Sequence, residues 1–124
     1  MGTRFALTDE SSASDIFKEY CLRLNEGDTK LLLKKLAPTR LVTNSFRDRV
    51  EAAEGRGASA EELRELLGRG RAKKGIFEGD LEEGELEIGQ VAALFRRRQS
   101  VDEVMKELLE GYRRASDKIR SAGL

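Results

Sequence analysis

The residues whose types and spacing could do chemistry are few. Met1-Gly2-Thr3 opens the chain. A glycine lets backbone approach a phosphate closely, and a threonine hydroxyl with successive N–H groups can hold its oxygens. At a strand end in a barrel this is a common phosphate site. Three residues are also what any ordinary loop at a chain start offers, so the motif needs support from elsewhere. Carboxylates crowd the stretch from Gly79 to Gly89. An EF-hand would need a glycine at the sixth position of its loop, and counting from Asp80 that position is Glu85. The stretch reads as a solvated acidic loop, and no metal site is expected. Gly89, just before Gln90, reads as structural: its missing side chain lets a helix start lie against another piece of backbone.

The remaining candidates favour structural roles. Gly68-Arg69-Gly70-Arg71 lacks the Gly-Lys-Ser/Thr of a phosphate loop and reads as a helix end with a turn. Arg96-Arg97-Arg98 reads as the last turn of a helix, where cations complement the dipole. Cys21 is the one cysteine, and the chain has no histidine to activate it. It reads as a small buried hydrophobe, and no catalytic residue is expected in the chain.

The elements that position these residues follow from hydrophobic period and capping. Residues 1–8 alternate and end in polar residues, which predicts the tail of a strand and then a loop. Ser12 or Ser14 caps a helix carrying Ile16, Phe17, Tyr20, Cys21 and Leu24 on one face, ended by Gly27. Asp28 to Leu36 suits a helix by propensity and a buried strand by density, and Pro38 closes it. A second helix spans 44–54, capped by Asn44 or Ser45, with Phe46, Val50 and Ala53 inward. Ser59 with Glu62, and Ser100 with Glu103, are capping boxes. The first starts a helix bearing Leu63, Leu66 and Leu67. Residues 72–77 suggest one more helical turn, and 90–98 a short helix with Val91, Leu94 and Phe95 inward. The second capping box starts a final helix with Val101, Val104, Met105, Leu108, Leu109 and Tyr112 on one face. The sum is a mainly α chain of several short helices with a strand remnant at the N-terminus.

Composition narrows the function classes. Lys plus Arg equals Asp plus Glu, 23 against 23, so charge makes no case for nucleic acid or an anionic membrane surface as partner. Hydrophobic residues are 39% and charged residues 37%, which predicts a modest core under a charged surface. No apolar run has the roughly 18 residues of a membrane span. The start has no signal-peptide pattern, since Asp9 and Glu10 follow closely, and a lone cysteine excludes an internal disulfide. The expected setting is the cytoplasm.

Taken together, the pieces resemble a known family. Met1-Gly2-Thr3-Arg4-Phe5, then Thr8-Asp9-Glu10-Ser11 and the helix from Ser14, are similar to the end of the last barrel strand of nitronate monooxygenases and flavin-type enoyl-acyl-carrier-protein reductases. Asp28-Thr29, Pro38, Arg40 and Asn44 resemble the family's next segment. Gly79-Asp80, Glu83-Gly84 and Gly89-Gln90-Val91-Ala92 resemble its C-terminal motif, and Ser100-Val101 with the last helix completes the match in order. The resemblance implies the C-terminal part of an α/β TIM-barrel flavoprotein that binds FMN and oxidises nitronates or reduces enoyl thioesters. Residues 1–124 would form one segment, with 1–8 ending the last barrel strand and 9–124 helical. In the family a Gln-Met-Gly-Thr stretch holds the FMN phosphate, and Met1, Gly2 and Thr3 match its last three positions. The family's catalytic histidine and its upstream glycine-rich phosphate loop have no counterpart in these residues. The partners implied are the missing barrel portion, a barrel-bearing subunit, or a second copy of the chain. A non-catalytic helical interaction module is the alternative.

Overall fold

Side-chain oxygens set the start of four of the five α-helices among the described residues. The Ser14 hydroxyl accepts from the Phe17 N–H at the start of α2 (Asp15–Cys21). The Asn44 carbonyl oxygen does the same for Arg47 at α3 (Ser45–Gly55). Complete capping boxes open α4 (Ala60–Leu67) and α5 (Val101–Ser121). Each box satisfies amide donors that the first turn leaves without partners. Only α1 (Gly2–Ala6) has no capping side chain. These bounds come from a computed structural model that describes residues 1–123.

The first segment corrects the sequence reading. Gly2–Ala6 is helix, not the tail of a strand. So short an apolar run carries too few periods to separate the two. The Thr8 hydroxyl donates to the Phe5 carbonyl at 2.7 Å and closes the turn. All that remains of strand character is one parallel bridge from Thr8 to Gln99.

The ambiguous leucine-rich segment resolves as a strand. Thr29–Leu32 (β1) pairs antiparallel with Thr39–Val42 (β2), in a register that sets Thr29 against Val42. Leu33 leaves β1 in the left-handed region, at φ 56°. That conformation costs a leucine about 1–2 kcal/mol, and burial of its side chain offsets this. A two-stranded hairpin is marginal alone. Here Val42 also donates to the Leu86 carbonyl at 2.9 Å, and Leu41 bridges Glu87, so the later part of the acidic loop lies beside β2 with Leu86 and Ile88 buried, not solvated as expected.

Adjacent residues of a strand face opposite ways. The hairpin uses this to divide two cores. Val42 joins Leu7, Phe17, Cys21, Leu24, Leu86 and Ile88. Leu41 joins Leu32, Leu33, Phe46, Val50 and Leu63. The inward face expected of α3, Phe46, Val50 and Ala53, is buried as expected. Gly75 and Gly84 approach so closely that a Cβ on Gly84 would lie 2.2 Å from the Gly75 Cα.

Other expectations need adjusting. α2 ends at Cys21 rather than near Gly27, and Ile16 is exposed. Residues 73–77 form a π-helical turn. Only Gln90–Leu94 is helical in the next segment, as a 3-10 turn with Ala92 buried and Val91 and Leu94 exposed. On α5 only Val104 is fully buried, while Met105, Leu109 and Tyr112 lie open. The chain is thus about half helix with a small two-stranded sheet. No helix among the described residues is long and apolar enough to cross a membrane.

Candidate functional site

The start of α1 meets the far end of the acidic loop. The Gly89 N–H donates to the Thr3 hydroxyl oxygen at 3.1 Å, across 86 positions of sequence. A Cβ on Gly89 would lie 2.5 Å from that oxygen. Gly89 is therefore structural, as expected, but what it admits is the threonine side chain rather than backbone. A hydroxyl has one proton and two lone pairs. With one lone pair engaged by Gly89, the Thr3 proton remains free to donate.

The backbone beside it is similarly available. The first turn of an α-helix leaves its amide hydrogens without intrahelical acceptors. In α1 no side chain covers them, and a Cβ added to Gly2 would meet nothing within 4 Å. Met1 and Gly2 are exposed and Thr3 is half-buried. The three sequence-predicted residues thus lie together where α1 begins, beside amide donors that no side chain of the described residues engages.

Arg4 fixes this end on the body. Its Nη2 donates to Gln99 Oε1 at 3.3 Å and pairs with Glu107, and its guanidinium lies 5.2 Å from the Phe95 ring centre. One side chain so ties α1 to α5 and to the 3-10 turn. Sequence reading did not single out Arg4, because its partners lie about a hundred residues away and no local spacing signals them.

The arginine run plays a part that its position in the sequence hides. It follows the 3-10 turn instead of ending a helix. Arg98 bonds Asp9 and Asp15, both at 2.8 Å. Arg96 donates to the Leu24 carbonyl at 2.6 Å, and Arg97 pairs with Glu103. The run ties the ends of the chain together. Lys18 was missed for a similar reason. It is buried, and its ammonium donates to the carbonyls of Asp9 and Ser11 at 3.1 and 2.8 Å. Carbonyl acceptors replace the water that a buried ammonium gives up.

The acidic loop holds two carboxyls shifted in opposite directions. Glu85 is buried, and that burial, with the Glu87 carboxylate beside it, pushes its carboxyl up to about 7 against the pull of Arg71. Asp80 goes the other way: the amides of Glu83 and Glu82 and the Lys74 ammonium hold it below the usual carboxylate range. Asp80 thereby shapes the turn, accepting from Glu83 N–H at 2.9 Å. Cys21 is fully buried, and burial pushes its thiol up to about 12, the behaviour of a core residue. The described residues contain no group of three His, Cys, Asp or Glu side chains that could hold a metal.

The geometry can be set beside known proteins. A family model described as nitronate monooxygenase matches residues 1–111. FabK from Thermotoga maritima superposes with a TM-score of 0.85 at 28% identity, over 98% of this chain and 38% of that one. Its M276A mutant gives 0.79 at 26% identity, over 98% and 36%. The chain therefore spans less than two-fifths of the length of these structures. No curated protein matches it.

Proposed function

The chain belongs to the nitronate monooxygenase family, and from that membership we propose that it forms the phosphate end of the flavin site in an FMN-dependent oxidoreductase of nitronate monooxygenase or enoyl reductase type. Met1, Gly2 and Thr3 are the residues proposed to hold the phosphate. The observation that carries the reading is the Gly89–Thr3 hydrogen bond. It fixes the hydroxyl as an acceptor toward the protein and leaves its proton for an oxyanion. The uncapped first turn of α1 adds amide donors beside it. An oxygen-rich dianion fits this donor set, since charge-assisted bonds from N–H and O–H groups are the strong ones. When bound, FMN supplies the two-electron redox chemistry. The chain's own residues bind and orient its phosphate, while Arg4 and Gly89 position the residues that do so.

The flavin ring needs a pocket that these residues do not build. The proposed partner is a barrel-bearing portion, either further sequence of a longer protein or a separate subunit. The open apolar stripe of α5, with Met105, Leu109 and Tyr112, supports a surface that something covers. The same stripe favours the second reading, a non-catalytic helical module that binds another protein.

Titration of FMN against the purified chain, followed by flavin fluorescence, tests the first reading. The chain alone should show no micromolar binding, because two or three phosphate contacts are all it offers. Supplying a family barrel portion should restore binding, and Thr3→Val should weaken the restored complex about tenfold, the loss of one hydrogen bond to a charged group. Tight binding by the chain alone would refute the partner requirement. Restored binding indifferent to Thr3→Val would refute the phosphate assignment.

A further inference from the structure

We propose that the cleft between the β1–β2 hairpin and the Gln90–Leu94 turn binds an organic anion: a carboxylate or phosphate monoester carrying a short apolar body. The cleft has a volume of about 790 Å³, within the roughly 300–1,000 Å³ of small-molecule sites. Two arginines line it, Arg40 from β2 and Arg96 from beyond the 3-10 turn.

Both arginines are anchored in the same way. Arg40 uses Nη1 alone, to the Thr29 carbonyl at 3.5 Å and the Thr29 hydroxyl at 3.3 Å. Arg96 also uses Nη1 alone, to the carbonyls of Leu24 at 2.6 Å, Phe95 at 3.4 Å and Leu22 at 3.5 Å. Among the described residues, Nε and Nη2 of neither side chain have a hydrogen-bond partner, and neither side chain has a carboxylate within ion-pair distance. Arg98, two residues along, shows the contrast, with three carboxylates around it. The Nε and Nη2 hydrogens form the parallel fork that fits two oxygens of a carboxylate or phosphate. Each arginine is therefore held by one nitrogen, with its anion-binding edge unused.

The rest of the lining limits the ligand. Val91 and Leu94 stand on the same wall, and Leu94 is 76% exposed. They suit an apolar body. Glu26 also lines the cleft and pairs with neither arginine, so it disfavours a further acidic group elsewhere on the ligand. The proposal does not rest on the flavin reading, since Met1, Gly2 and Thr3 are not part of this lining.

The test titrates the full chain with octanoate, octyl phosphate, inorganic phosphate and octanol, by calorimetry and by NMR of the arginine Nε–H groups. Octanoate or octyl phosphate should bind saturably and shift the Arg40 and Arg96 signals, and the tighter of the two identifies the acid group. Octanol should bind at least tenfold more weakly. Inorganic phosphate should do the same, because it lacks the apolar body; equal binding would overturn that half of the proposal. Arg40→Gln should weaken binding about tenfold or more, Arg40→Lys should recover little of it, and Glu26→Gln should tighten it a few-fold. Arg96 also holds the Leu22–Leu24 turn, so Arg40 carries the test if Arg96→Gln unfolds. Absence of saturable binding by both amphiphiles at millimolar concentration, or binding unchanged by Arg40→Gln, would overturn the site.

Discussion

Helices α4 and α5 start alike and end in different surroundings. Each opens with a serine and glutamate capping box, and each carries a regular apolar face. In α4 that face is covered: Leu63 is fully buried, and Leu66 and Leu67 pack on the core around Phe46 and Val50. In α5 only Val104 is buried, while Met105, Leu109, Tyr112 and Ile119 are exposed along the spacing of one stripe. Amphipathic spacing declares which face of a helix is apolar. Whether that face is buried depends on what the rest of the fold places against it. The sharpest ways to probe this contrast compare substitutions on the two sides.

The largest effect is expected at the covered core. Phe46→Ala should cost about 3–5 kcal/mol, because it removes a fully buried ring from the cluster beneath α4. Urea unfolding followed by circular dichroism measures it. A loss below 1 kcal/mol would mean that this core is loose and that the contrast with α5 is one of degree.

The next effect is a pH dependence confined to the body. The Glu85 carboxyl titrates near 7 in the folded chain, against 4.5 for the ordinary group. The folded state therefore keeps a proton that the unfolded state releases first. The contribution of this group to stability should be complete below the ordinary carboxylate range and should be lost as pH rises from about 4.5 through 7, by on the order of 2–3 kcal/mol. Glu85→Gln should flatten that slope. A slope of opposite sign across this window, still present in the variant, would reject the assignment to Glu85.

Capping gives a smaller effect that differs between the two helices. Ser59→Ala should lower global stability by about 1 kcal/mol, since α4 is packed on the core. Ser100→Ala removes the same kind of cap, yet α5 touches the body mainly through its first turns. Its loss should appear as reduced helicity more than as a shifted unfolding midpoint. Equal midpoint shifts in both variants would show that α5 unfolds with the core.

Features that depend on neighbouring residues were legible in the sequence. The caps at Ser59 and Ser100, the inward face of α3 and the glycines that end α4 all follow from spacing within a few positions. Features that depend on distant pairing were not. The leucines of β1 suit helix or strand until β2 and the Leu86 segment lie beside them. The contact that organises the start of α1, from Thr3 to Gly89, joins two residues that the sequence marks separately, with nothing local to mark them as partners. The Arg40 and Arg96 cleft was invisible for the same reason. Its signal is two arginine side chains with no ion-pair partner among the described residues, and that becomes readable only when the chain has folded.

The smallest expected effect is on the exposed stripe of α5. Leu109→Ser and Tyr112→Ser should each change the stability of the isolated chain by no more than about 0.5 kcal/mol, as surface substitutions do. Their side chains have little burial to lose. The same residues should matter for association. Burying a Leu side chain contributes about 1.5–3 kcal/mol, so a row of them left in water favours any surface that covers it. Sedimentation of the wild-type chain at rising concentration should show self-association, or a complex when a barrel portion is supplied, and the double substitution should reduce either one. A wild-type chain that stays a compact monomer and ignores the barrel portion would leave the stripe without a partner. A large stability loss from either single substitution would mean instead that α5 folds back on its own body and that the two helices do not differ as described.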